Sequence, residues 1–384
     1  MAHSGISSLS LYIHIPFCRS KCGYCDFNSF GGLEALVPGY VEALTKEIQF
    51  RARDNNRQIS TIYFGGGTPS LLSISQIDKI IGACNKYYKV DKATEITLEA
   101  NPGTVTHKWL NSLHVLGFNR LSLGFQSLDD IDLKILGRIH SVTQAVEAFT
   151  FARQAGFENI NIDLIYNLPG QTLTQWKDVL NRAITMDPDH FSLYPLTLEE
   201  TTPLGHAVES GSMSAPDPDV AAEMYEYAEE CMAGAGYEHY ELSNWSKPGK
   251  VCRHNLTYWE NRPYLGLGAG AHSFINGYRK ANTDHPGEYI TILEADNLPE
   301  KVNEFISVQL ELSETIILGL RLIKGVKLEN IESRFGIDIS TVYKTEIEEL
   351  IGCGLLEKDD SRLRLTRRGR LLGNEVFWRF LPKS

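Results

Sequence analysis

The sequence contains no run of 18 apolar residues, so no segment is predicted to cross a membrane as a helix. Its first residues lack a basic stretch followed by a long apolar one, so we expect neither a secretory signal nor a transit peptide. Cysteine is scarce, with 7 in 384 residues, and four of these are scattered along the chain, at positions 84, 231, 252 and 353. A disulfide framework is therefore disfavoured, and a cytoplasmic protein is predicted.

Basic residues are fewer than acidic ones: the chain has 37 Lys and Arg and 48 Asp and Glu, so its formal net charge is -11. Such a balance disfavours nucleic acid and anionic membranes as main partners. Hydrophobic residues make up 42% of the chain, enough for a large core. At 384 residues the chain exceeds the size at which single cores usually stop growing, so at least two domains are predicted.

Six short segments rich in β-branched and aliphatic residues recur, and each is followed by a stretch of helical periodicity. They are residues 10–17, 60–67, 95–102, 120–127, 160–170 and 190–199. Two clear amphipathic helices between them span 38–51 and 142–156, the second ending in glycine. Repeated strand–helix units predict an α/β fold, a partial (β/α)6 barrel with a parallel sheet.

Unusual residues stand where these strands end. Three cysteines follow the first strand, "GGGTP" ends the second, Glu99 lies at the end of the third and Gln126 at the end of the fourth. Asp163 lies in the fifth strand, which is otherwise apolar. Because functional residues of such barrels gather at the carboxyl ends of the strands, we expect these side chains to meet at one mouth.

The three cysteines, Cys18, Cys22 and Cys25, follow the spacing C-x3-C-x2-C. Thiolates this close on one loop can bind zinc, hold an iron–sulfur cluster or simply be buried. A structural zinc site needs four protein ligands, so His14 or Asp26 would have to complete it. Three thiolates on a four-iron cluster leave one iron open to another ligand, and the spacing at a barrel mouth favours this interpretation.

The chain resembles the radical S-adenosylmethionine (SAM) family, whose hallmark is C-x3-C-x2-C in the loop after the first barrel strand. The resemblance implies a 4Fe–4S cluster on the three cysteines, with SAM bound at the fourth iron. "YIHIPFC", "CGYCDFNS", "FGGGTPS", "LEANP", "GFQS", "GRIH" and "DLIYNLPGQT" are similar to the branch that holds the oxygen-independent coproporphyrinogen III oxidases and the related HemW haem chaperones. This resemblance runs from about residue 10 to the C-terminus.

The resemblance also implies which residues contact SAM. Tyr24 is expected against the adenine, Glu99 at the ribose and Arg138 at the methionine carboxylate, whereas Gln126 and Asp163 line a second SAM or substrate site. The full set implied for SAM is Tyr12, Tyr24, Gly66, Gly67, Thr68, Glu99, Gln126, Arg138 and Asp163. The glycines let backbone carbonyls approach the ligand. Catalytic residues are not assigned, and whether SAM is cleaved stays open.

Two departures from the oxidase pattern point to the chaperone branch. The oxidases continue the motif with a fourth cysteine, and Phe27 stands at that position here. They also carry a longer N-terminal extension, whereas about nine residues precede the first strand here.

A second motif, "HNLTYW" at 254–259, matches the H-N-x-x-Y-W pattern that the chaperone family is associated with for haem binding. A neutral imidazole is a good iron ligand and aromatics pack against a porphyrin, so His254 is a candidate haem ligand. The alternative is a structural loop in which His254 bonds to backbone and the aromatics fill core. Cys252 is a further candidate ligand, and the glycines that follow, at 266–270, indicate a close backbone approach rather than a dinucleotide site.

Three domains are predicted: the barrel over 1–235, a connecting segment with the HNxxYW motif over 236–300, and a C-terminal domain over 301–384. In the last, amphipathic helices at 313–322 and 327–336 precede a hairpin that turns at 359–361, so a winged-helix-like domain is predicted. Five arginines lie within 361–370, but they alternate with leucines as on a solvated strand. Nucleic-acid binding is therefore disfavoured, and a lid over the mouth or a docking surface is favoured.

Three functions remain open at this point. The first is a chaperone that binds haem and transfers it to apo-haemoproteins, with the cluster and SAM regulating it. The second is a coproporphyrinogen III oxidase, an enzyme that removes carboxyl groups from propionate side chains by radical chemistry. The third is a radical enzyme that modifies nucleic acid. The departures described above favour the first. Peripheral membrane association and a homodimer stay open as further interactions.

Overall fold

The computed structural model describes residues 8–52 and 57–382, which form two large hydrophobic cores, a third smaller one and one large sheet. The strands of this part of the chain are β1 (Ser8–Ile15), β2 (Phe17–Cys18), β3 (Phe30–Gly31), β4 (Gln58–Gly66), β5 (Glu95–Ala100), β6 (Arg120–Gln126), β7 (Ile160–Tyr166), β8 (His190–Pro195), β9 (Glu238–Glu241), β10 (Asn244–Ser246), β11 (Tyr264–Leu267), β12 (His272–Ile275), β13 (Tyr278–Asn282), β14 (Glu300–Phe305), β15 (Val326–Lys327), β16 (Leu356–Lys358) and β17 (Arg362–Leu365).

The α-helices are α1 (Val37–Ala52), α2 (Ile74–Tyr87), α3 (His107–Val115), α4 (Asp130–Ile135), α5 (Val142–Gln154), α6 (Leu173–Thr185), α7 (Pro203–Glu209), α8 (Pro218–Gly234), α9 (Arg253–Trp259), α10 (Pro286–Glu294), α11 (Val308–Leu320), α12 (Leu328–Phe335), α13 (Ile339–Val342), α14 (Lys344–Gly352), α15 (Arg367–Leu371) and α16 (Gly373–Phe377). Short 3₁₀ turns lie at Glu34–Leu36, Pro69–Leu71, Pro102–Thr104 and Trp378–Phe380. None of the helices described here is long and apolar enough to cross a membrane.

The central six strands of the large sheet are β1, β4, β5, β6, β7 and β8, in that order and all parallel. They coincide with the six segments predicted from the sequence, so the predicted (β/α)6 partial barrel is confirmed. Three of the helices after these strands begin with a capping box, in which a Ser or Thr and a Gln three residues later bond each other's backbone N–H. This local signal sets where each strand–helix turn ends.

The segment 236–300 does more than connect, because its strands extend the sheet at both edges. β10 pairs antiparallel with β8, and β9 follows at that edge. At the opposite edge β11 pairs in parallel with β1 and is followed by β12, β13 and β14. The expected boundary at 301 falls inside β14, and the division into three domains stays a prediction.

The C-terminal part has its own core, which runs from Leu312 to Phe380. Its three strands, in the order β15, β17, β16, form a small antiparallel sheet beside helices α11 to α14. The hairpin of β16 and β17 turns at residues 359–361, where the Asp359 carboxylate accepts the backbone N–H of Ser361 and Arg362. The predicted winged-helix-like fold is confirmed.

The five arginines of this hairpin region contact the protein itself. Arg364 pairs with Glu357, and Arg367 and Arg370 pair with Glu229 of α8. Arg362 and Arg368 donate to backbone carbonyls of Lys324 and Cys353. Their charges are therefore used for the hairpin and for its contact with α8, and the absence of nucleic-acid binding stays a prediction.

Candidate functional site

A cavity of about 670 Å³ opens at the carboxyl ends of the barrel strands. All thirteen residues predicted for cluster, SAM or haem line it: Tyr12, Cys18, Cys22, Tyr24, Cys25, Gly66, Gly67, Thr68, Glu99, Gln126, Arg138, Asp163 and His254. The structure thus brings these thirteen residues to one space, while the role of each stays a prediction. Cys252, the further candidate haem ligand, is buried outside it, with its sulfur 3.8 Å from Oε1 of Glu95.

The cysteine loop is held from several sides. Cys18 ends β2 and is buried, and the Thr68 hydroxyl donates to its sulfur at 3.5 Å. Between the other two cysteines, the Gly23 N–H donates to the carbonyl of Leu136, which ties the loop to the turn after α4. The loop is therefore fixed to the ends of β4 and α4 by bonds that do not involve a cofactor.

Glycines at the end of β4 allow the cysteine loop to pack closely against the backbone of that strand end. A Cβ on Gly67 would lie 2.7 Å from the carbonyl oxygen of Phe17 and 3.0 Å from the sulfur of Cys18. Gly66 has φ +113°, and a Cβ there would lie 2.5 Å from the ring of His14. Only glycine fits at both positions, which gives the predicted "GGGTP" turn a steric reason.

The three thiols suit a four-iron cluster better than a single metal ion. Among the residues that the structure describes, no three His, Cys, Asp or Glu side chains are grouped to hold one ion. A four-iron cluster binds each thiolate on a different iron, so its ligands need to line one space rather than converge on one point. Burial raises the pKa of the Cys25 thiol, so metal binding would have to supply the deprotonation. The cysteines fit the cluster that the motif implies.

Arg138 lies between the cysteine loop and the barrel. Its Nη1 donates to the sulfur of Cys22 at 3.3 Å and its Nη2 to the carbonyl of Gly124 at 3.0 Å, while Nε is buried without a partner. Tyr24 lies close enough for its pKa to respond to the arginine, although burial dominates and raises that pKa. The guanidinium places a buried positive charge beside the thiols.

Gln126 ends β6 in a left-handed conformation, with φ +67°. A residue other than glycine in this region is uncommon and often marks a functional position. The conformation coincides with a register shift between β6 and β7, and Gln126 lines the cavity as predicted.

Glu99 carries its carboxyl into the cavity from the end of β5. The Tyr63 hydroxyl donates to Oε1 at 2.8 Å and the Gly66 N–H to Oε2 at 3.3 Å. Burial raises the pKa of Glu99 to about 7, and the hydrogen bond from Tyr63 acts in the opposite direction. The carboxyl is therefore partly protonated near neutral pH.

Asp163 is half-buried in β7, and its carboxylate has two side-chain donors. The Ser122 hydroxyl donates to Oδ2 at 2.9 Å and the Asn161 amide to Oδ1 at 2.8 Å. Burial still raises the pKa of Asp163, against these hydrogen bonds. The network continues from Asn161 to His190 at 2.7 Å, so the polar interior of the barrel is connected.

The HNxxYW motif forms helix α9, which covers the lower end of the barrel, opposite the cysteines. The Glu95 carboxylate at the start of β5 accepts the backbone N–H groups of Arg253 and His254, both at 3.0 Å, and so caps the helix. On the side of β1, the hydroxyls of Ser10 and Thr257 bond at 2.9 Å. The motif is thus a helix that closes the lower end of the cavity, and not the loop that was the alternative from the sequence.

His254 is 1% exposed, and both of its ring nitrogens have partners. Nδ1 bonds the hydroxyl of Thr61 at 2.7 Å and Nε2 the hydroxyl of Tyr258 at 3.0 Å. Burial lowers the pKa of His254 to about 3, helped by the positive charge of Arg120, so the ring is neutral. Ligation of haem iron would require one of these bonds to break, and the role of His254 as haem ligand stays a prediction.

Sequence analysis missed several polar residues that face the cavity from the lower parts of the strands. Tyr63, Arg120, Ser122, Asn161 and Ser192 all line it. The alternation of strand residues contains the signal, because Arg120 and Ser122 lie two apart, as do Asn161 and Asp163. Without the sheet, however, the face toward the cavity could not be told from the face toward the helices.

Comparison with known proteins decides the family. Residues 12–183 match the Radical SAM superfamily and residues 306–372 the HemN C-terminal domain. The heme chaperone HemW of Bacillus subtilis (strain 168) is 37% identical over 374 residues, which cover 97% of this chain and 99% of the relative. The chain belongs to the HemW family of radical SAM proteins. HemW of Escherichia coli (strain K12) is 35% identical over 98% of both chains.

A relative outside bacteria and a solved structure are also similar to this chain. A mouse protein, the mitochondrial radical S-adenosyl methionine domain-containing protein 1, is 35% identical over 99% of this chain and 89% of its own. Among solved structures, the coproporphyrinogen III oxidase HemN of Escherichia coli covers 97% of this chain and 90% of its own, with a TM-score of 0.86 and 23% identity. At that identity the likeness establishes the fold alone.

Proposed function

We propose that this protein is a haem chaperone, which binds haem and transfers it to apo-haemoproteins, and that it carries a 4Fe–4S cluster and SAM. The observation that carries the proposal is the match at 35–38% identity, over 95% or more of the chain, to curated haem chaperones of bacilli, lactococci, mycobacteria and enterobacteria. The protein would act in the cytoplasm. A homodimer and peripheral membrane contact stay predictions.

The cluster would be held by Cys18, Cys22 and Cys25. When bound, a 4Fe–4S cluster supplies one-electron transfer and an open iron for the amine and carboxylate of SAM. The chain's own part is positioning: the end of β4 brings its backbone against the cysteine loop, and Arg138 provides a cation beside Cys22 for the carboxylate of SAM. Glu99 and Asp163 supply polar contacts deeper in the cavity.

Haem transfer tests the function directly. The protein, reconstituted anaerobically with iron and sulfide, is loaded with haem and mixed with apomyoglobin, and the spectrum of holomyoglobin is followed. We expect transfer at a rate that exceeds the release of free haem from the protein to a non-protein haem scavenger. Absence of haem binding by cluster-loaded protein would contradict the proposal.

The oxidase is the second candidate, because the fold of HemN covers nearly the whole chain. Against it, Phe27 stands in place of the fourth cysteine, and its side chain is 68% exposed where it lines the cavity. Anaerobic incubation with SAM, a reductant and coproporphyrinogen III separates the two. Protoporphyrinogen and deoxyadenosine as products would establish the oxidase, and no tetrapyrrole product from protein with an intact cluster favours the chaperone.

A further inference from the structure

The lower end of the cavity holds a buried cation that neither the cluster nor the predicted SAM contacts account for. Arg120 is the first residue of β6, at the opposite end of that strand from Gln126 and the mouth. It is 2% exposed and it lines the cavity. A guanidinium buried to this degree normally has a carboxylate or several carbonyl oxygens as partners.

Arg120 has none of these partners. Within the described parts of the chain, 8–52 and 57–382, no ion pair and no side-chain hydrogen bond is formed by the Arg120 guanidinium. Its Nε is buried without a partner. The Thr97 hydroxyl, on the residue that pairs with Arg120 across β5 and β6, is also buried without one. Leaving such groups unpaired costs free energy, which a ligand could recover.

The acidic residues near Arg120 are already engaged elsewhere. Glu95 accepts the N–H groups at the start of α9. Glu99 accepts the Tyr63 hydroxyl and the Gly66 N–H, and Asp163 accepts Ser122 and Asn161. These carboxyls act on the arginine only through space, so its planar N–H fork is left facing the cavity.

We propose that Arg120 anchors a carboxylate-binding subsite at the closed end of the cavity. A guanidinium binds a carboxylate through two parallel hydrogen bonds, and Arg120 lines the cavity with its Nε unpartnered. Two ligands of the proposed function carry the required group: haem, through its propionate side chains, and a second molecule of SAM, through its amino-acid carboxylate, in addition to the SAM expected at Arg138. The haem source rests on the haem binding proposed above, and the SAM source rests on the proposed SAM binding alone.

Two variants and a control test the subsite in the full-length, cluster-loaded protein. Arg120→Gln keeps a polar side chain but shortens it and removes the charge, and Arg120→Lys keeps the charge but not the planar set of N–H donors. Arg182→Gln is the control, since Arg182 lies exposed on α6, paired with Asp178 four residues before it. Affinities are measured for haem, for haem dimethyl ester, whose propionates are blocked, and for SAM. Iron and sulfide content and the thermal midpoint report folding.

If haem is the source, Arg120→Gln weakens haem binding about 10-fold to 100-fold and leaves the affinity for the dimethyl ester unchanged. If SAM is the source, the loss appears in SAM affinity and not with haem. Arg120→Lys retains part of the affinity in either case. The proposal is overturned if Arg120→Gln binds haem and SAM as tightly as Arg182→Gln does. It is also overturned if Arg120→Gln loses the same affinity for haem and for haem dimethyl ester while its SAM affinity is unaffected.

If the proposed function is wrong, the result differs from failure of the subsite, because the wild-type protein then does not bind haem at all. The SAM affinities of wild-type and Arg120→Gln protein then decide whether the subsite exists. If Arg120→Gln protein loses its iron and sulfide, the same affinities are measured with Arg120→Lys instead. A loss of affinity for the free carboxylate ligand, with the ester unaffected, supports the subsite, and no loss refutes it.

Discussion

The Nη1 of Arg138 lies 3.3 Å from the sulfur of Cys22, across 116 residues of sequence. This contact joins the turn after α4 to the cysteine loop and places a permanent positive charge at a thiol that must ionise to bind iron. We expect Arg138→Gln to weaken SAM binding by roughly 10-fold or more, as loss of a charged hydrogen bond does. Equilibrium binding to protein of matched iron content measures it, and an unchanged affinity would argue against a carboxylate contact.

The cluster assignment predicts that Cys18, Cys22 and Cys25 act together. We expect the triple alanine variant to lose the iron, the acid-labile sulfide and the visible absorption that the wild-type protein gains on anaerobic reconstitution. Cys353→Ala is the matched control, because this cysteine is exposed in the C-terminal domain and far along the chain from the loop. A triple variant that keeps a full load of iron and sulfide would refute the assignment.

Gly67→Ala tests the close approach of β4 to the cysteine loop. The added Cβ would lie 2.7 Å from a backbone oxygen and 3.0 Å from the sulfur of Cys18, so one strand end must move. We expect less cluster per chain and a loss of stability of about 1–3 kcal/mol. Gly82→Ala is the control: Gly82 lies in α2 with nothing within 4 Å of the new Cβ, so we expect it to be neutral or slightly stabilising. Equal cluster content in both variants would contradict the prediction.

Glu99 predicts a pH dependence of stability. Burial raises its pKa from 4.5 to about 7, so between these values the folded chain binds more protons than the unfolded chain. The contribution of Glu99 is therefore most favourable below about pH 4.5 and declines as pH rises toward 7, by about 3 kcal/mol at most. Urea unfolding of protein without cluster measures the slope. We expect Glu99→Gln to flatten it and exposed Glu223→Gln to leave it unchanged; an identical slope in both variants would count against the shifted pKa.

His254→Ala separates two roles of the HNxxYW motif. Loss of the bonds to Thr61 and Tyr258, together with the buried ring, is expected to lower the free energy of unfolding by about 2–4 kcal/mol. Denaturant unfolding of the haem-free protein measures this structural role. The haem spectrum and haem affinity of the folded variant measure the second role, ligation of haem iron. An unchanged spectrum would exclude His254 as the iron ligand. Cys252→Ala serves as a second buried substitution at the same helix end.

Much of the barrel could be predicted from sequence because its signals are local. Strand periodicity, the glycines after β4 and the capping boxes before three helices lie within a few residues of the elements they define. The cysteine spacing is equally local, which is why the mouth of the cavity could be anticipated residue by residue.

The rest depends on contacts between distant segments. Nothing near 253–259 in sequence indicates that this helix lies under strands that begin at Ser8, Gln58 and Glu95. For the same reason His254 was weighed as a haem ligand or a loop residue, whereas its side-chain partner Thr61 lies 193 residues away. Arg120 was missed because a charge at the start of a strand is ordinary until the sheet shows which way it faces.

Helix α9 has a consequence for the order of events in the cavity. It covers the end beneath β1, β4 and β5, so among the described residues the opening beside the cysteines is the route by which a molecule reaches Arg120. Under the proposal for Arg120, a group at the deep end arrives before the molecule at the mouth and departs after it. The ligand beside the cysteines would then control how long the deeper ligand stays bound.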